Sequence, residues 1–266
     1  DAGCHVLCEK PAAGSLSDAR RMQAAAAGAG RVLAIGYQAM FGPAIRRLKA
    51  LRVSGELGAL QSARARICVP RGARYYQRRD WGGRQQTGGV AVLDSPIQNA
   101  TAHHLQHMLY LAGEGEREAA RPTAVTAENY RASRDAWADT QYLQIDTHEG
   151  VRIAMLSTHA CLQSLDVRVE YAFEEGRVIA VADRAVIRGE SGRYEEVRDP
   201  QHAVVLPLRA VIRSMKTGEQ PACTIDNALQ HTACVEAAFA AATPRLVSPD
   251  AVVMATPPSS LPRHAG

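Results

Sequence analysis

Apolar positions along this chain change their period, and the change divides it into two kinds of structure. Val6, Leu7 and Cys8 form a short apolar run closed at Glu9-Lys10-Pro11. Pro11 lacks a backbone N–H, so it ends a strand there. Ser15-Leu16-Ser17-Asp18 is a capping box that opens a helix, with Leu16, Ala19, Met22 and Ala26 as its apolar stripe and Gly28 and Gly30 as its stop. Residues 32–35 read as a buried strand of the parallel kind. Strand, helix and strand in some thirty residues predict a βαβ unit, and a right-handed crossover makes its two strands parallel.

A helix is expected from Phe41-Gly42-Pro43 to about Val53, with Ala44, Ile45, Leu48 and Leu51 inward and Arg46, Arg47, Lys49 and Arg52 on a solvated face. Residues 60–69 read as a strand, 71–89 as a Gly- and Arg-rich loop, and 100–112 as an apolar helix. From 123 onward the period is mostly two. Leu143/Ile145 and Val151/Ile153/Met155 flank the turn His148-Glu149-Gly150, and further alternating runs follow at 167–173, 178–182 and 185–187. Two helices close the pattern. One carries Val204, Leu208, Val211 and Met215; the other is capped at Thr224 and carries Leu229, Val235 and Phe239. The fold class is α/β plus α+β: part of a parallel-sheet domain, then an antiparallel sheet with one face packed on helices. The expected boundaries are 1–40 for the first part, 41–256 for the second, and 257–266 for a disordered Pro/Ser-rich tail.

Composition narrows the function classes. With 46% hydrophobic and 22% charged residues, the 266-residue chain has enough apolar material for a core without disulfide staples, so its six cysteines are read as thiols of a cytoplasmic protein. The net charge of +4 is modest and spread out, which argues against nucleic acid as a partner. No apolar run reaches the roughly 20 residues of a membrane span. Asp1-Ala2-Gly3 is neither a signal peptide nor an initiating Met, and the sequence is expected to be a fragment.

The string Gly3-Cys4-His5-Val6-Leu7-Cys8-Glu9-Lys10-Pro11 resembles the AGKHVLCEKP signature of the Gfo/Idh/MocA (glucose–fructose oxidoreductase/inositol dehydrogenase) oxidoreductases. Gly36-Tyr37-Gln38 with Phe41-x-Pro43, Ser54-Gly55-Glu56-Leu57-Gly58, the helix within 88–113, and Ile225-Asp226-Asn227-Ala228-Leu229 resemble later family segments in order. The resemblance implies hydride transfer between NAD or NADP and a sugar, polyol or related alcohol. It implies that 1–40 is part of a Rossmann dinucleotide-binding domain and that 41–256 is a substrate and oligomerisation domain with a large open, mostly antiparallel sheet, forming a homodimer or homotetramer through the open sheet face. It also implies that about three strands should precede the signature, including a G-x-G-x-x-G loop that cradles the pyrophosphate. None of the 266 residues supplies that loop. Two alternatives stay open: a family member that uses transient oxidation for hydrolysis or elimination, and a non-catalytic binding or oligomerisation relative.

Alcohol oxidation needs a base for the hydroxyl proton and a donor or cation at the developing oxyanion. By the resemblance, Lys10 lies between nicotinamide and substrate. The family's D-x-x-x-H puts an acid and a histidine on one helix face. Two registers are available here, Asp94 with Gln98 or Asn99 with His103, and the second supplies the histidine. Lys10, His103 and Asn99 are therefore the catalytic candidates, with Asn99 orienting His103 by a hydrogen bond. Lys10, Asp94 and His103 are the substrate candidates, and Glu9, Lys10, Pro11, Gln38, Trp81 and Arg84 the cofactor candidates. No metal is expected: His103 and His107 are four apart, but position 104 is His where a zinc hydrolase motif carries Glu.

Overall fold

The computed structural model describes residues 3–181, 184–200 and 203–253. The chain opens with β1 (Val6–Cys8), α1 (Leu16–Ala29) and β2 (Leu33–Ile35). β1 and β2 pair in parallel, Leu7 opposite Ala34, as the βαβ pattern predicts. Ser15 caps α1, its Oγ accepting from the Asp18 amide. Gly28 lies inside this helix rather than ending it. The stop is Gly30, whose left-handed conformation (φ +59°) favours a residue without Cβ.

A 3₁₀ turn (Gln38–Phe41) leads into α2 (Pro43–Ser54). The α2 amide of Ala44 donates to the Asp199 carboxylate, a cap from far along the chain. Ala44, Ile45, Leu48 and Leu51 are buried as expected. Lys49 corrects the solvated-face expectation, being only 3% exposed. Its Nζ donates to the carbonyls of Tyr110, Gly113 and Glu118 at 2.6, 2.7 and 2.9 Å, satisfying all three ammonium donors at the end of a second helix. Burial, with Arg52 nearby, pushes its pKa down to about 7.

The 71–89 segment is more ordered than a loop. It holds α3 (Ala73–Gln77) and β4 (Gln86–Thr87), which forms a small hairpin with β5 (Val90–Ala91) across Gly88-Gly89. Ahead of it lies β3 (Leu60–Cys68), and after it α4 (Ala102–Ala112), β6 (Pro122–Arg131), β7 (Thr140–Thr147), β8 (Arg152–Thr158), β9 (Arg168–Phe173), β10 (Gly176–Val181), β11 (Arg184–Gly189), β12 (Tyr194–Arg198), α5 (Leu206–Thr217), α6 (Ile225–Ala241) and β13 (Arg245–Leu246).

Nine of these strands make one sheet in the order β12-β11-β10-β9-β3-β8-β7-β6-β13. All neighbours are antiparallel except β3 with β8 and β13 with β6. Alternate residues Leu143 and Ile145 of β7, and Ile153 and Met155 of β8, are fully buried, as one covered face requires. Helices α2, α4 and α6 contact this sheet. α6 also reaches back to α1, and Ile35 of β2 donates its N–H to the Cys223 carbonyl just ahead of α6. The expected tail 257–266 lies outside the described residues. Among the described residues, no helix is long and apolar enough to cross a membrane.

Candidate active site

β1 delivers Lys10 to its C-terminal end, where ligands collect in open α/β sheets. Lys10 is half-buried, and its Nζ donates to the backbone carbonyl of Asn99 at 2.9 Å. Burial lowers its pKa, an effect opposed by Glu9 and Asp94 and reinforced by Arg78. The carboxylate of Glu9 accepts the Lys10 backbone amide (3.2 Å), and the Lys10–Pro11 peptide is cis.

Asp94 and Asn99 are partners rather than rivals for one role. Asn99 lies in the turn before α4, not on the helix, and its Nδ2 donates to Asp94 Oδ1 at 3.1 Å. This corrects the expectation that Asn99 orients His103. Asp94 is 3% exposed, and its other oxygen accepts the Gly83 amide at 2.7 Å. Burial raises its pKa, while those two hydrogen bonds, Arg78 and Lys10 pull it back. Both registers weighed from sequence therefore meet in one cluster: the Asn99 carbonyl holds Lys10 and its side chain holds Asp94. Gln98 faces elsewhere, its amide donating to the carbonyls of Ala13 (3.1 Å) and Val92 (3.4 Å).

His103 stands on the first turn of α4, within electrostatic reach of Lys10. Its ring meets Tyr37 edge-on, with centroids 5.6 Å apart, and His107 at 6.1 Å. Tyr37 also contacts His231, whose Nε2 donates to the Ile97 carbonyl at 3.0 Å. Burial is the leading cause that pushes His103 down to about 3, His104 and His231 to about 4, and His107 well below its ordinary value. These imidazoles are neutral at neutral pH. Tyr37 Oη, His107 Nε2 and His231 Nδ1 are buried without a hydrogen-bond partner among the described residues. No group of three or more His, Cys, Asp or Glu among the described residues is placed to hold a metal.

Gln38, half-buried at the start of the 3₁₀ turn after β2, has no side-chain hydrogen bond among the described residues. The turn Trp81-Gly82-Gly83-Arg84 is tied to the site through its backbone: Asp94 N–H donates to the Arg84 carbonyl (2.9 Å), and the Arg84 amide to the Trp81 carbonyl (3.1 Å). The Arg84 side chain instead lines a separate cavity.

Two features had no counterpart in the sequence reading. Arg78 lies 3.5 Å from the Tyr75 ring centroid and acts electrostatically on both Lys10 and Asp94. With Arg71, Arg74, Arg79 and Arg84 in the same segment, the sequence has no signal to single it out. The second is a buried pair, Tyr76 Oη and His159 Nδ1, 2.9 Å apart, with His159 only 2% exposed. Burial pushes His159 to about 3.

Residues 1–37 match the sequence model GFO_IDH_MocA, an oxidoreductase family with an NAD-binding Rossmann fold. No curated protein sequence matches. Among solved structures, UDP-N-acetylglucosamine 3-dehydrogenase GnnA from Acidithiobacillus ferrooxidans is 20% identical with a TM-score of 0.71, covering 90% of this chain and 71% of its own. Aldose–aldose oxidoreductase from Caulobacter crescentus, solved with glycerol, is 22% identical with a TM-score of 0.72, covering 90% and 70%. The WlbA dehydrogenase from Bordetella pertussis, solved with NADH and UDP-GlcNAcA, is 22% identical with a TM-score of 0.70, at the same coverage. Residues 1–37 thus match the Gfo/Idh/MocA family model, and the described chain has a fold similar to that of these solved structures.

Proposed function

We propose that this chain is the catalytic portion of an NAD-dependent oxidoreductase that acts on a sugar-type alcohol, with Lys10 as its central residue. The observation that carries this reading is the placement of Lys10 beyond β1, bonded to the Asn99 carbonyl and facing Asp94, in a segment that matches an NAD-binding family. NADH in the structure of the WlbA dehydrogenase, and the sugar nucleotide and aldose in the names of the related structures, support the cofactor and substrate class.

The residues present fit the nicotinamide end of the cofactor. Gln38, with an unused amide, and Lys10 follow the C-terminal ends of two paired parallel strands, where an open α/β sheet binds ligands. Glu9, Pro11 and Trp81 border the same end. When bound, the nicotinamide ring accepts or supplies the hydride. The protein's own part is proton handling and alignment. Lys10 uses one donor on Asn99 and keeps two for the substrate oxygen. Its lowered pKa suits it to exchange a proton with that oxygen, and its charge stabilises a developing alkoxide. Asp94, anchored by Gly83 and Asn99, holds Lys10 electrostatically in place. His103, neutral at pH 7, is a polar neighbour of Lys10 that hydrogen-bonds substrate rather than storing a proton.

Calorimetric titration with NADH and NADPH, followed by a screen of sugars and polyols, tests the reading. The expected result is NADH binding, with turnover that Lys10→Met lowers by about 10²-fold or more, in the range of general acid–base effects. NADH binding that Lys10→Met leaves intact while turnover falls would confirm a catalytic role. Absence of dinucleotide binding, or full turnover in the variant, would overturn it.

A further inference from the structure

The loop from Tyr76 to Gln85 and the β6–β7 connection border a solvent-open cavity of about 660 Å³ whose walls include the exposed Arg79, Arg84 and Arg134 and the half-buried Arg131 against only Asp80 and Asp135. None of these four guanidiniums makes an ion pair, side-chain hydrogen bond or ring contact with the described residues. Other arginines of this protein are engaged, as where Arg47 and Arg193 both bridge Glu56 and Glu195 and Arg78 stacks on Tyr75, and others among the described residues stand alone on the surface; here four gather around one hollow. Four unpaired guanidiniums around one cavity repel one another, a cost that an anion relieves. Guanidinium forks match carboxylate and phosphate oxygens two at a time.

The cavity wall is firmly built. A Cβ on Gly82 would sit 1.9 Å from the Tyr76 carbonyl oxygen, and one on Gly83 would sit 2.2 Å from that of Asp135. The two loops therefore close tightly on this glycine pair. They are also bonded through it: the Trp137 amide donates to the Gly83 carbonyl at 2.7 Å, while the Gly83 amide donates to Asp94 at 2.7 Å. One residue, Gly83, thus links the arginine-lined cavity to the carboxylate facing Lys10.

We propose that this cavity is an anion subsite, so that the substrate is a sugar bearing a phosphate or carboxylate away from the carbon that is oxidised. The inference rests on the oxidoreductase reading for the word substrate, but the anion site itself does not depend on it. Neutral polyols leave the arginines uncompensated and bind weakly.

Of the chain's two tryptophans, Trp137 lines this cavity and Trp81 sits in the loop that forms its wall, between Asp80 and Gly82, so intrinsic fluorescence reports on it. Inorganic pyrophosphate, glucuronate and glucose would each be titrated into the full chain, with and without saturating NADH. The expected result is a saturable change with pyrophosphate or glucuronate that NADH does not displace, no change with glucose, and at least tenfold weaker binding in Arg84→Gln/Arg134→Gln. Whichever anion binds tighter distinguishes a phosphorylated from a carboxylated substrate. The milder Arg84→Lys, expected to bind at an intermediate strength, guards against misreading a folding defect. Equal binding by wild type and the double variant, displacement by NADH, or no saturable response to either anion would overturn the subsite. Anion binding without any NADH binding would uphold it and sink the oxidoreductase reading instead.

Discussion

In the nine-stranded sheet, Ile67, Leu143, Ile145, Ile153 and Met155 are wholly inaccessible to solvent, whereas Val6 and Leu7 of β1 are 45% and 39% exposed. The same contrast holds for helices. α4 buries Leu105, Met108 and Leu109 completely, while α5, which packs beside β1, leaves Leu208, Ile212 and Met215 between 43% and 57% exposed. β1 pairs with β2 alone among the described residues. The large sheet therefore buries one face under α2, α4 and α6. The small parallel sheet depends on α1, α5 and α6 and keeps an apolar strip open along β1 and α5, where the catalytic candidate Lys10 begins.

The seam between these regions gives the sharpest way to break the comparison, because it holds His103, His104, His107 and His231. In the unfolded chain each imidazole titrates near 6.5, but in the folded protein only near 3–4 or lower. Stability is therefore complete above pH 6.5 and falls as pH drops below it, because the unfolded chain takes up protons that the folded one refuses. Each such group contributes up to about 1.4 kcal/mol per pH unit. Urea unfolding between pH 7.5 and 4.5 should show a steep loss, with α4 and β2 losing hydrogen-exchange protection before β7 and β8. A flat profile would mean that the histidines are not buried as described.

Next in size, Leu143→Ala in the closed sheet should cost about 2–5 kcal/mol, whereas Leu7→Ala on the open strand should cost far less. Equal losses would erase the distinction. Lys49→Met leaves three buried carbonyls without a donor and should cost about 2–3 kcal/mol in thermal or urea unfolding. A neutral outcome would show that water replaces the ammonium. The smallest effect is expected on α5: Leu208→Lys/Met215→Lys should change stability by about 0.5 kcal/mol or less. It should also reduce self-association in light scattering, and an unchanged aggregate size would show that the strip is not the sticky surface.

The periodic parts of this architecture are legible from sequence because their cause is local. Leu143/Ile145 and Ile153/Met155 alternate around Gly150, and Leu16, Ala19, Met22 and Ala26 recur at helical spacing. β12 escapes this reading because Tyr194-Glu195-Glu196 has no apolar face, and its partners are charges: Arg47 of α2 holds Glu195 at 2.8 Å. Lys49 was misplaced for a similar reason. Its position on the helix suggested solvent, but the end of α4 lies against it and supplies carbonyls. Within the site, Lys10 is legible because its motif is compact. The pairing of Asn99 with Asp94 was missed, since counting four along an assumed helix fails where the helix starts only at Ala102. Tyr76 and His159 meet across 83 residues, and no spacing rule anticipates that.

The central place of β3 has a consequence for how the molecule is made. This strand is synthesised before every other member of its sheet, yet its neighbours are β8 and β9, which leave the ribosome much later. At roughly 5–20 residues per second, β3 waits on the order of ten seconds with both edges unsatisfied. Its alternation of Ala63, Ala65 and Ile67 with Arg64 and Arg66 places a positive charge at every second position during that wait. Like charges on neighbouring copies discourage nascent chains from pairing with each other, so the arginines that later flank the sheet's centre first act as guards against premature partners.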